Sequence, residues 1–347
     1  MHVFVTGATG HIGSALLPDL LAAGHEVTGL TRSESGAAAL KALGARVRTG
    51  DLDDLDGLRE AAAEADGVIH LAFKHEAMRS GNYQGAIADD LAVVRALGDA
   101  LAGSGKPLVG TSGTGGSDVP GTPSTEDQVR TAGPRVEAEN EVVGLSARGV
   151  RSSVVRLPPV VHSDLDHHGF VPTLIAAARR AGESGYLGDG ANRWPAVHTR
   201  DAARVYRLAL EKAPGGSRLH AVGDDGVPLR AIAEEIGRRL DVPVAAVAPD
   251  QAEARFGFLA GLVGLDIPAT AARTRELLDW RPEHPDLLAD LALDHYFAAG
   301  TAGSSAGGGR GPSALQRYTG RASTTVTPGG GAADRARCLN RASSGFC

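Results

Sequence analysis

Short apolar runs alternate with longer stretches of helical periodicity along the first 160 residues of the chain. Six runs have the character of buried strands: HVFVT, EVTGL, ARVRTG, GVIHL, PLVGTS and SSVVRLP. The stretches between them, such as the one that ends near Leu101, place apolar residues at helical spacing. Strands and helices that alternate in this way form a parallel sheet with helices on both faces. The pattern predicts an α/β fold with six strands in one doubly wound sheet.

The rhythm is less regular after Pro158, and we interpret the remainder as a smaller domain that covers the sheet domain. The predicted division is a core over residues 1–160, a cap segment over 161–194, a return to the core over 195–222, and cap and C-terminal helices over 223–298. Apolar spacing predicts helices over Phe170–Ala181, Leu229–Leu240, Ala271–Leu278 and the segment DLLADLALDHYF. Residues 299–347 are rich in Gly, Ser, Ala, Thr and Arg, a composition that predicts disorder.

Charge and composition favour small-molecule chemistry. The formal net charge of −6 gives no electrostatic reason to expect a nucleic acid or membrane partner. No apolar run approaches the roughly 18 residues of a membrane span, and Met1 to Thr6 leads directly into a glycine loop rather than a signal peptide. We therefore expect a cytoplasmic protein with a small-molecule substrate. Cys338 and Cys347 lie in the final segment, so no disulfide framework is predicted.

A glycine-rich turn follows the first predicted strand. In VFVTGATGHIGSALL, the glycines are Gly7, Gly10 and Gly13, and the helix after them places Ile12 and Leu16 on one face. Glycines at this junction allow a tight turn and close approach of the backbone to a pyrophosphate at the helix N-terminus. The strand before the loop and the helix after it provide the context that this motif requires. The sequence therefore predicts a dinucleotide site.

The segment TGATGHIG resembles the TGxxGxxG fingerprint of the extended and atypical short-chain dehydrogenase/reductase family, which includes NAD-dependent epimerases and dehydratases. The resemblance covers about residues 1–297 and includes GDLDD, HLA, TS, RLPPVVH and PAVHTRDAA. It implies a Rossmann sheet with a smaller C-terminal substrate cap. Asp51 and Leu52 would then contact adenine, although Asp51 is equally well explained as a turn residue. The cofactor contacts implied by the resemblance are Gly7, Thr9, Gly10, His11, Ile12, Gly13, Asp51, Leu52, Leu71, Ala72, Phe73, Arg135 and Pro158.

The end of the second strand indicates which dinucleotide binds. NAD-preferring members usually place an acidic residue there to hold the ribose hydroxyls. Thr31 occupies that position here, and Arg32 with Ser33 can donate charge-assisted hydrogen bonds to a 2′-phosphate. We predict NADP(H) as the preferred cofactor, with NAD(H) possible. The alternative is that Arg32 is a solvated surface cation.

The catalytic positions depart from the family pattern. Most members use Tyr-x-x-x-Lys, and alignment of PRVEAENEVV with the corresponding helix places Thr131 at the tyrosine and Arg135 at the lysine. Thr131 is a poor proton donor near neutral pH, and Arg135 stays protonated, so it can hold charge or ribose but cannot act as a base. Ser112 is the first candidate for a substrate or nicotinamide contact. Its alternative role is that of a loop serine that caps its own turn.

Several histidines follow the sixth strand. We interpret His162, His167 and His168 as residues of a surface loop, and we expect no metal because no H-E-x-x-H pattern accompanies them. Trp194, His198 and Asp201 are expected to join the returning segment to the sheet.

Three functions remain open at this point. The first is an NADP(H)-dependent oxidoreductase that acts on a carbonyl or alcohol of a small molecule. The second is an NADP(H)-binding sensor or scaffold with little catalysis, which the missing tyrosine favours. The third is a nucleotide-sugar epimerase or dehydratase.

Overall fold

A parallel sheet of seven strands runs through the described part of this computed structural model, which comprises residues 1–75, 82–131, 133 and 135–298. The six predicted strands are confirmed, and their order with the seventh is β10-β6-β5-β4-β1-β2-β3. The strands are β1 His2–Thr6, β2 Glu26–Thr31, β3 Arg46–Thr49, β4 Gly67–His70, β5 Pro107–Gly113, β6 Arg151–Leu157, β7 Val160–His162, β8 Ser184–Leu187, β9 Arg193–His198, β10 Ser217–His220, β11 Asp224–Pro228 and β12 Val244–Val247. The expected number of six strands was wrong because β10, with the sequence SRLH, has only one apolar residue and gives no hydrophobic signal.

Helices cover both faces of the sheet and build the cap. They are α1 His11–Ala22, α2 Glu34–Ala42, α3 Leu55–Glu64, α4 Tyr83–Leu101, α5 Val136–Gly144, α6 Phe170–Ala181, α7 Thr199–Lys212, α8 Leu229–Leu240, α9 Ala252–Phe256, α10 Ala272–Leu278 and α11 Leu287–Leu291. Spans α6 and α8 match the predicted helices residue for residue. The predicted tail from residue 299 lies outside the described residues.

The last predicted helix is broken. In place of one helix over DLLADLALDHYF, α11 ends at Leu291 and a 3₁₀ turn covers Asp294–Tyr296. In a continuous helix, Asp290 and Tyr296 would point about 120° apart, since each residue turns by about 100°. The break lets both face the same segment: Asp290 accepts a hydrogen bond from His162, and the Tyr296 hydroxyl accepts one from the Ser163 amide.

Three apolar clusters fill the molecule. One lies between the sheet and the helices α1 and α7, and includes Leu16, Leu20 and Tyr206. A second lies on the opposite face, under α3, α4 and α5. The third is the core of the cap, built around Trp194 and the helices α6 and α8. Burial of these faces supplies the main driving force for the fold.

The segment 195–222 connects the cap to the core. Strand β9 joins a small sheet of order β11-β9-β7, whereas α7 packs beside α1 and β10 pairs with β6 of the large sheet. A further parallel pair, β8 with β12, lies in the cap. Among the described residues, no helix is both long and apolar enough to cross a membrane.

The order of the large sheet reverses between β1 and β4. Strands β2 and β3 continue from β1 in one direction, and β5, β6 and β10 continue from β4 in the other. Ligands of open α/β sheets bind in the crevice that such a reversal leaves at the carboxyl ends of the strands. The fold therefore places the candidate site beside the ends of β1 and β4.

Candidate active site

The glycine loop follows β1 and closes tightly on itself. Gly7 has a φ of +70°, and a Cβ there would lie 2.8 Å from the Ala72 amide nitrogen. A Cβ on Gly13 would lie 2.3 Å from the Gly7 carbonyl oxygen. The Gly10 amide donates to that same carbonyl at 3.0 Å. Both glycines are therefore required by close backbone contacts, one across to β4 and one within the loop.

The N-terminus of α1 is open to an anion. Gly10 is the N-cap, no side chain caps the helix, and its first turn contains no acidic residue. The amides of His11, Ile12 and Gly13 consequently have no intrahelical acceptor. Thr9 and Gly10 are exposed next to them. This cradle fits a dinucleotide pyrophosphate, because free N–H groups and the helix dipole both favour negative charge.

His11 ties the glycine loop to the start of α7. Its Nε2 lies 2.7 Å from the Thr199 hydroxyl, which also accepts from Ser163 Oγ at 2.8 Å. Burial and the nearby His167, His162 and His198 rings lower the pKa of His11 to about 4. The side chain is therefore neutral at pH 7, and adds no charge beside a bound pyrophosphate.

The end of β2 presents a cation without a partner. Arg32 is exposed, and no residue in the described chain pairs with its guanidinium. Thr31 is buried and accepts a 3.4 Å hydrogen bond from the Ser33 amide. Ser33 is the N-cap of α2, where its hydroxyl accepts from the Gly36 amide at 3.0 Å. The Ser33 hydroxyl proton can be donated to a ligand or to the Ser35 hydroxyl, which lies 3.2 Å away.

The residues that the resemblance implies near adenine follow β3, and those that it implies along the path toward nicotinamide follow β4. The Asp51 carboxylate accepts from the Asp53 amide at 2.8 Å and so stabilises the turn before α3, whereas the helix itself is capped by Asp54. Leu52 is half-buried against the core. Lys74 bridges Asp53 and Asp89, at 2.5 and 2.8 Å, and so links the β3 loop to α4. Leu71, Ala72 and Phe73 continue from β4 and are half-buried.

Ser112 lies at the end of β5 but is enclosed by protein. It is 3% exposed, and its hydroxyl forms no hydrogen bond of good geometry with a described residue. The same is true of the Thr114 hydroxyl. Ser112 faces the Glu139 carboxylate on α5 and helps to lower the pKa of that carboxyl. Pro158, between β6 and β7, is also buried.

A buried ion pair fixes the loop that follows β5. Glu139 accepts two hydrogen bonds from Arg156, at 3.1 and 2.5 Å, and a third from Arg218. Burial alone would raise the pKa of Glu139, but the Arg156 guanidinium lowers it overall. Arg156 also donates to the carbonyls of Thr125 and Gln128. Sequence analysis missed this pair, although a charged residue within the strand pattern SSVVRLP indicated a buried partner.

Thr131 and Arg135 do not share a helix. Helix α5 begins at Val136, and Arg135 is its N-cap with a φ of +58°. Thr131 is exposed and lies outside the helix. The left-handed backbone at Arg135 marks the start of α5, so the helix does not extend back to Thr131. In the family pattern the two side chains need helical spacing to act together, and here they lack it.

Arg135 is held by a carboxylate that sequence analysis did not identify. Its Nε and Nη2 donate to Asp90 at 3.0 and 2.9 Å, and its guanidinium lies 4.6 Å from the centre of the Phe73 ring. Asp90 also accepts from His70 Nε2 at 3.3 Å. The available signal was an acidic residue on the apolar face of α4, among Ala86, Val93, Val94 and Leu97.

The histidines after β6 divide into buried and exposed groups. His167 and His168 are exposed, as expected for a surface loop. His162 is buried in β7 and bonds to Asp290 at 2.9 Å, so its placement in a surface loop was wrong. The apolar neighbours VV before it belong to a short strand of the cap sheet, which explains its burial.

His198, Asp201 and His284 lie close enough to be tested as a metal site. Both Asp201 oxygens already accept hydrogen bonds, from the amides of Glu283 and His284 and from the His284 ring. The rings of His198 and His284 are stacked, with centroids 4.5 Å apart and planes 4° from parallel. Parallel rings cannot both direct an in-plane nitrogen lone pair at one ion, so this group anchors the 283–284 loop to α7.

Comparison with known proteins identifies the family. The model of the NAD dependent epimerase/dehydratase family matches residues 3–221. The chain belongs to this family. It is 45% identical over 299 residues to an uncharacterized protein of Schizosaccharomyces pombe, a match that spans 86% of this chain and all of the relative. The chain is thus an NAD(P)-dependent protein of the short-chain dehydrogenase/reductase type.

Two other similarities are more distant. A 4-hydroxy-2-methyl-3-oxo-4-farnesyl-3,4-dihydroquinoline-1-oxide ketoreductase of Stigmatella aurantiaca is 29% identical, over 66% of this chain and 70% of its own length. The UDP-glucose 4-epimerase of Thermus thermophilus, solved with NAD, superposes with a TM-score of 0.66 at 21% identity, and covers 86% of this chain and 100% of that one. The second similarity establishes the shared fold.

Proposed function

We propose that the protein is an NADP(H)-dependent oxidoreductase that acts on a carbonyl or alcohol of a small molecule. The observation that carries the proposal is Arg32: an exposed guanidinium at the end of β2 with no partner among the described residues, next to Thr31, which takes the place of the usual ribose-binding carboxylate. A 2′-phosphate at that position would gain a charge-assisted hydrogen bond, whereas NADH would gain nothing. We also propose a cytoplasmic location without a nucleic-acid or membrane partner.

The glycine loop supports dinucleotide binding in particular. Gly7 and Gly13 have no Cβ, so the backbone of the loop can fold tightly at both positions. The first amides of α1, which no side chain caps, are available to a pyrophosphate. NADPH, when bound, supplies a hydride to the carbonyl carbon. The protein's part is then to orient the two reactants and to stabilise charge on the carbonyl oxygen. Among the site residues, Arg135 retains one amino group, Nη1, that Asp90 does not use.

A carbonyl substrate fits better than a nucleotide sugar. Recognition of a diphosphate needs cations that are free to bind it. Several described arginines of the cap already face carboxylates, namely Arg193, Arg230, Arg238, Arg239 and Arg255. The ketoreductase relative supports the same direction, since its named activity is reduction of a ketone.

The test combines binding with turnover. Isothermal calorimetry should show NADPH binding at least about tenfold tighter than NADH, because a hydrogen bond to a charged group contributes about 1.5–3 kcal/mol. Arg32→Ala should remove most of that difference and leave NADH affinity unchanged. Lys41→Ala, on the solvent-facing end of α2, serves as a matched loss of charge that should alter neither affinity. Equal affinities in the unmutated protein would overturn the cofactor assignment.

A second candidate function is that of an NADP(H)-binding sensor or scaffold. Thr131 is exposed, Ser112 is enclosed, and two of the three Arg135 nitrogens bind Asp90, so the usual acid/base set is absent. A panel of aldehydes, ketones and quinones with NADPH, followed at the nicotinamide absorbance, separates the two functions. Binding of NADPH with no oxidation across the panel would favour the sensor.

A further inference from the structure

A buried hydrogen-bond network crosses the sheet at the reversal between β1 and β4. Thr6, at the end of β1, lies 2.7 Å from His70 Nδ1 at the end of β4. His70 Nε2 lies 3.3 Å from Asp90 on α4, and Asp90 binds Arg135 at the start of α5. Four elements that form the walls of the crevice are therefore connected through one set of polar side chains.

The direction of each hydrogen bond in this network follows from its members. A carboxylate only accepts, so His70 Nε2 carries a proton and donates to Asp90. Thr6 Oγ1 accepts from the Ala72 amide at 3.3 Å, and its own proton is then available for His70 Nδ1. Asp90 accepts three hydrogen bonds, from His70 Nε2, Arg135 Nε and Arg135 Nη2. All the hydrogen bonds run toward Asp90.

Asp90 is strongly committed to its charged form. It is 2% exposed, and burial acts against ionisation, but Arg135 and His70 together hold the pKa of the carboxyl below its ordinary value. An ionised carboxylate buried in this way is retained only when donors surround it. Arg135 in turn keeps 16% of its side chain exposed, next to the Phe73 ring.

We propose that Asp90 is the positioning residue of the nicotinamide half of the site. It fixes the Arg135 guanidinium over Phe73, with Nη1 directed away from the ion pair, and connects it through His70 and Thr6 to the Ala72 backbone against which Gly7 packs. Arg135 then contacts the nicotinamide ribose or the substrate oxygen, and Asp90 acts only through Arg135. This inference rests on the proposed NADP(H) binding.

The experiment uses a ligand that lacks the nicotinamide half. Calorimetry on the full chain would compare NADPH with adenosine 2′,5′-bisphosphate, for Asp90→Asn and Arg135→Gln. Each variant should lose at least about tenfold in NADPH affinity, the value of a charged hydrogen bond, with less than a twofold change for the bisphosphate. The double variant should bind NADPH no more weakly than Arg135→Gln alone, because Asp90 acts through Arg135.

Glu126→Gln is the matched control for loss of a buried carboxylate. Glu126 is 3% exposed and accepts from the Thr274 amide and hydroxyl, both at 2.8 Å, away from the dinucleotide crevice. The Glu126→Gln variant should have a lower melting temperature, but its affinities for NADPH and for the bisphosphate should change by less than twofold. If Asp90→Asn fails to fold, Asp90→Glu, which keeps the charge but displaces the carboxylate, takes its place in the comparison between the two ligands and should show the same selective loss of NADPH affinity.

Four results would overturn the inference. An Asp90→Asn variant that weakens NADPH and the bisphosphate equally would show a purely structural role. Unchanged NADPH affinity, or additive losses in the double variant, would show that Asp90 does not act through Arg135. If the unmutated protein binds neither NADPH nor NADH, the proposed function fails and this inference with it. Normal NADPH binding with an unaffected Asp90→Asn overturns the inference alone.

Discussion

The dinucleotide half and the catalytic half of the crevice differ in how they relate to the family pattern. At the glycine loop, both the fingerprint and its geometry are present. Gly7 and Gly13 each lie so close to backbone atoms that a Cβ at either position would collide with them. At the catalytic half, where the sequence comparison aligns Thr131 with the family's tyrosine and Arg135 with its lysine, Thr131 is exposed and Arg135 is bound to Asp90. The family's binding scaffold can therefore persist around an altered set of catalytic groups.

The two halves also differ in what determines their shape. The glycine loop is shaped by contacts within the local backbone, since Gly13 packs directly against the Gly7 carbonyl oxygen. The catalytic half is shaped by buried charges from distant parts of the chain, such as Glu139 with Arg156 and Asp90 with Arg135. Variants should therefore have local effects in the first half and more distributed effects in the second.

The largest effect is expected at the glycine loop. Gly13→Ala places a Cβ 2.3 Å from the Gly7 carbonyl, so the loop backbone must shift away from the pyrophosphate cradle. We expect NADPH affinity to fall by roughly 100-fold or more, about 2.7 kcal/mol, in calorimetry. Gly144→Ala, at the end of α5 where a Cβ meets nothing within 4 Å, is the control and should bind normally. Normal binding by Gly13→Ala would show that the pyrophosphate lies elsewhere.

Sequence reasoning predicted the first half much better than the second. Local patterns of neighbouring residues are enough to predict the six strands, the glycine loop and the cation at Arg32. Strand β10 was missed because its pairing with β6 compensates for a polar sequence. The contact of Asp90 with Arg135 joins residues 45 positions apart. No local periodicity encodes such a pair, and only the apolar surroundings of Asp90 hinted that it needs a partner.

An intermediate effect concerns the cap loop that contains Asp166, whose neighbour Ser163 is linked through Thr199 to His11 of the glycine loop. Burial raises the pKa of Asp166 to about 6, although the Gly169 amide and Tyr296 hydroxyl act against the shift. Since the folded-state pKa lies above the unfolded value of 3.8, the stabilisation by Asp166 is present at low pH and is lost as the pH rises through about 6. Between pH 4.5 and 7.5 this amounts to about 2 kcal/mol.

Asp166→Asn removes this titration. Urea unfolding should show that Asp166→Asn destabilises the protein more at pH 4.5 than at pH 7.5. The difference between the two destabilisations should be about 2 kcal/mol. Asp164→Asn is a matched control, because that exposed carboxylate pairs with Arg200 and its pKa is lowered rather than raised. Parallel stability curves for Asp166→Asn and the unmutated protein would contradict the assignment.

The smallest effect is expected at Thr131, and it tests whether the catalytic half has truly left the family pattern. Thr131 is exposed and lies outside α5, so Thr131→Val should change NADPH affinity and any turnover by less than about twofold. Thr131→Tyr should give no gain in turnover, because a tyrosine there lacks the helical spacing to Arg135 that an acid/base pair needs. Both are measured as kcat and KM with NADPH and the best carbonyl of the panel. A clear rise in kcat for Thr131→Tyr would mean that the side chains at positions 131 and 135 act together when the ligands are bound.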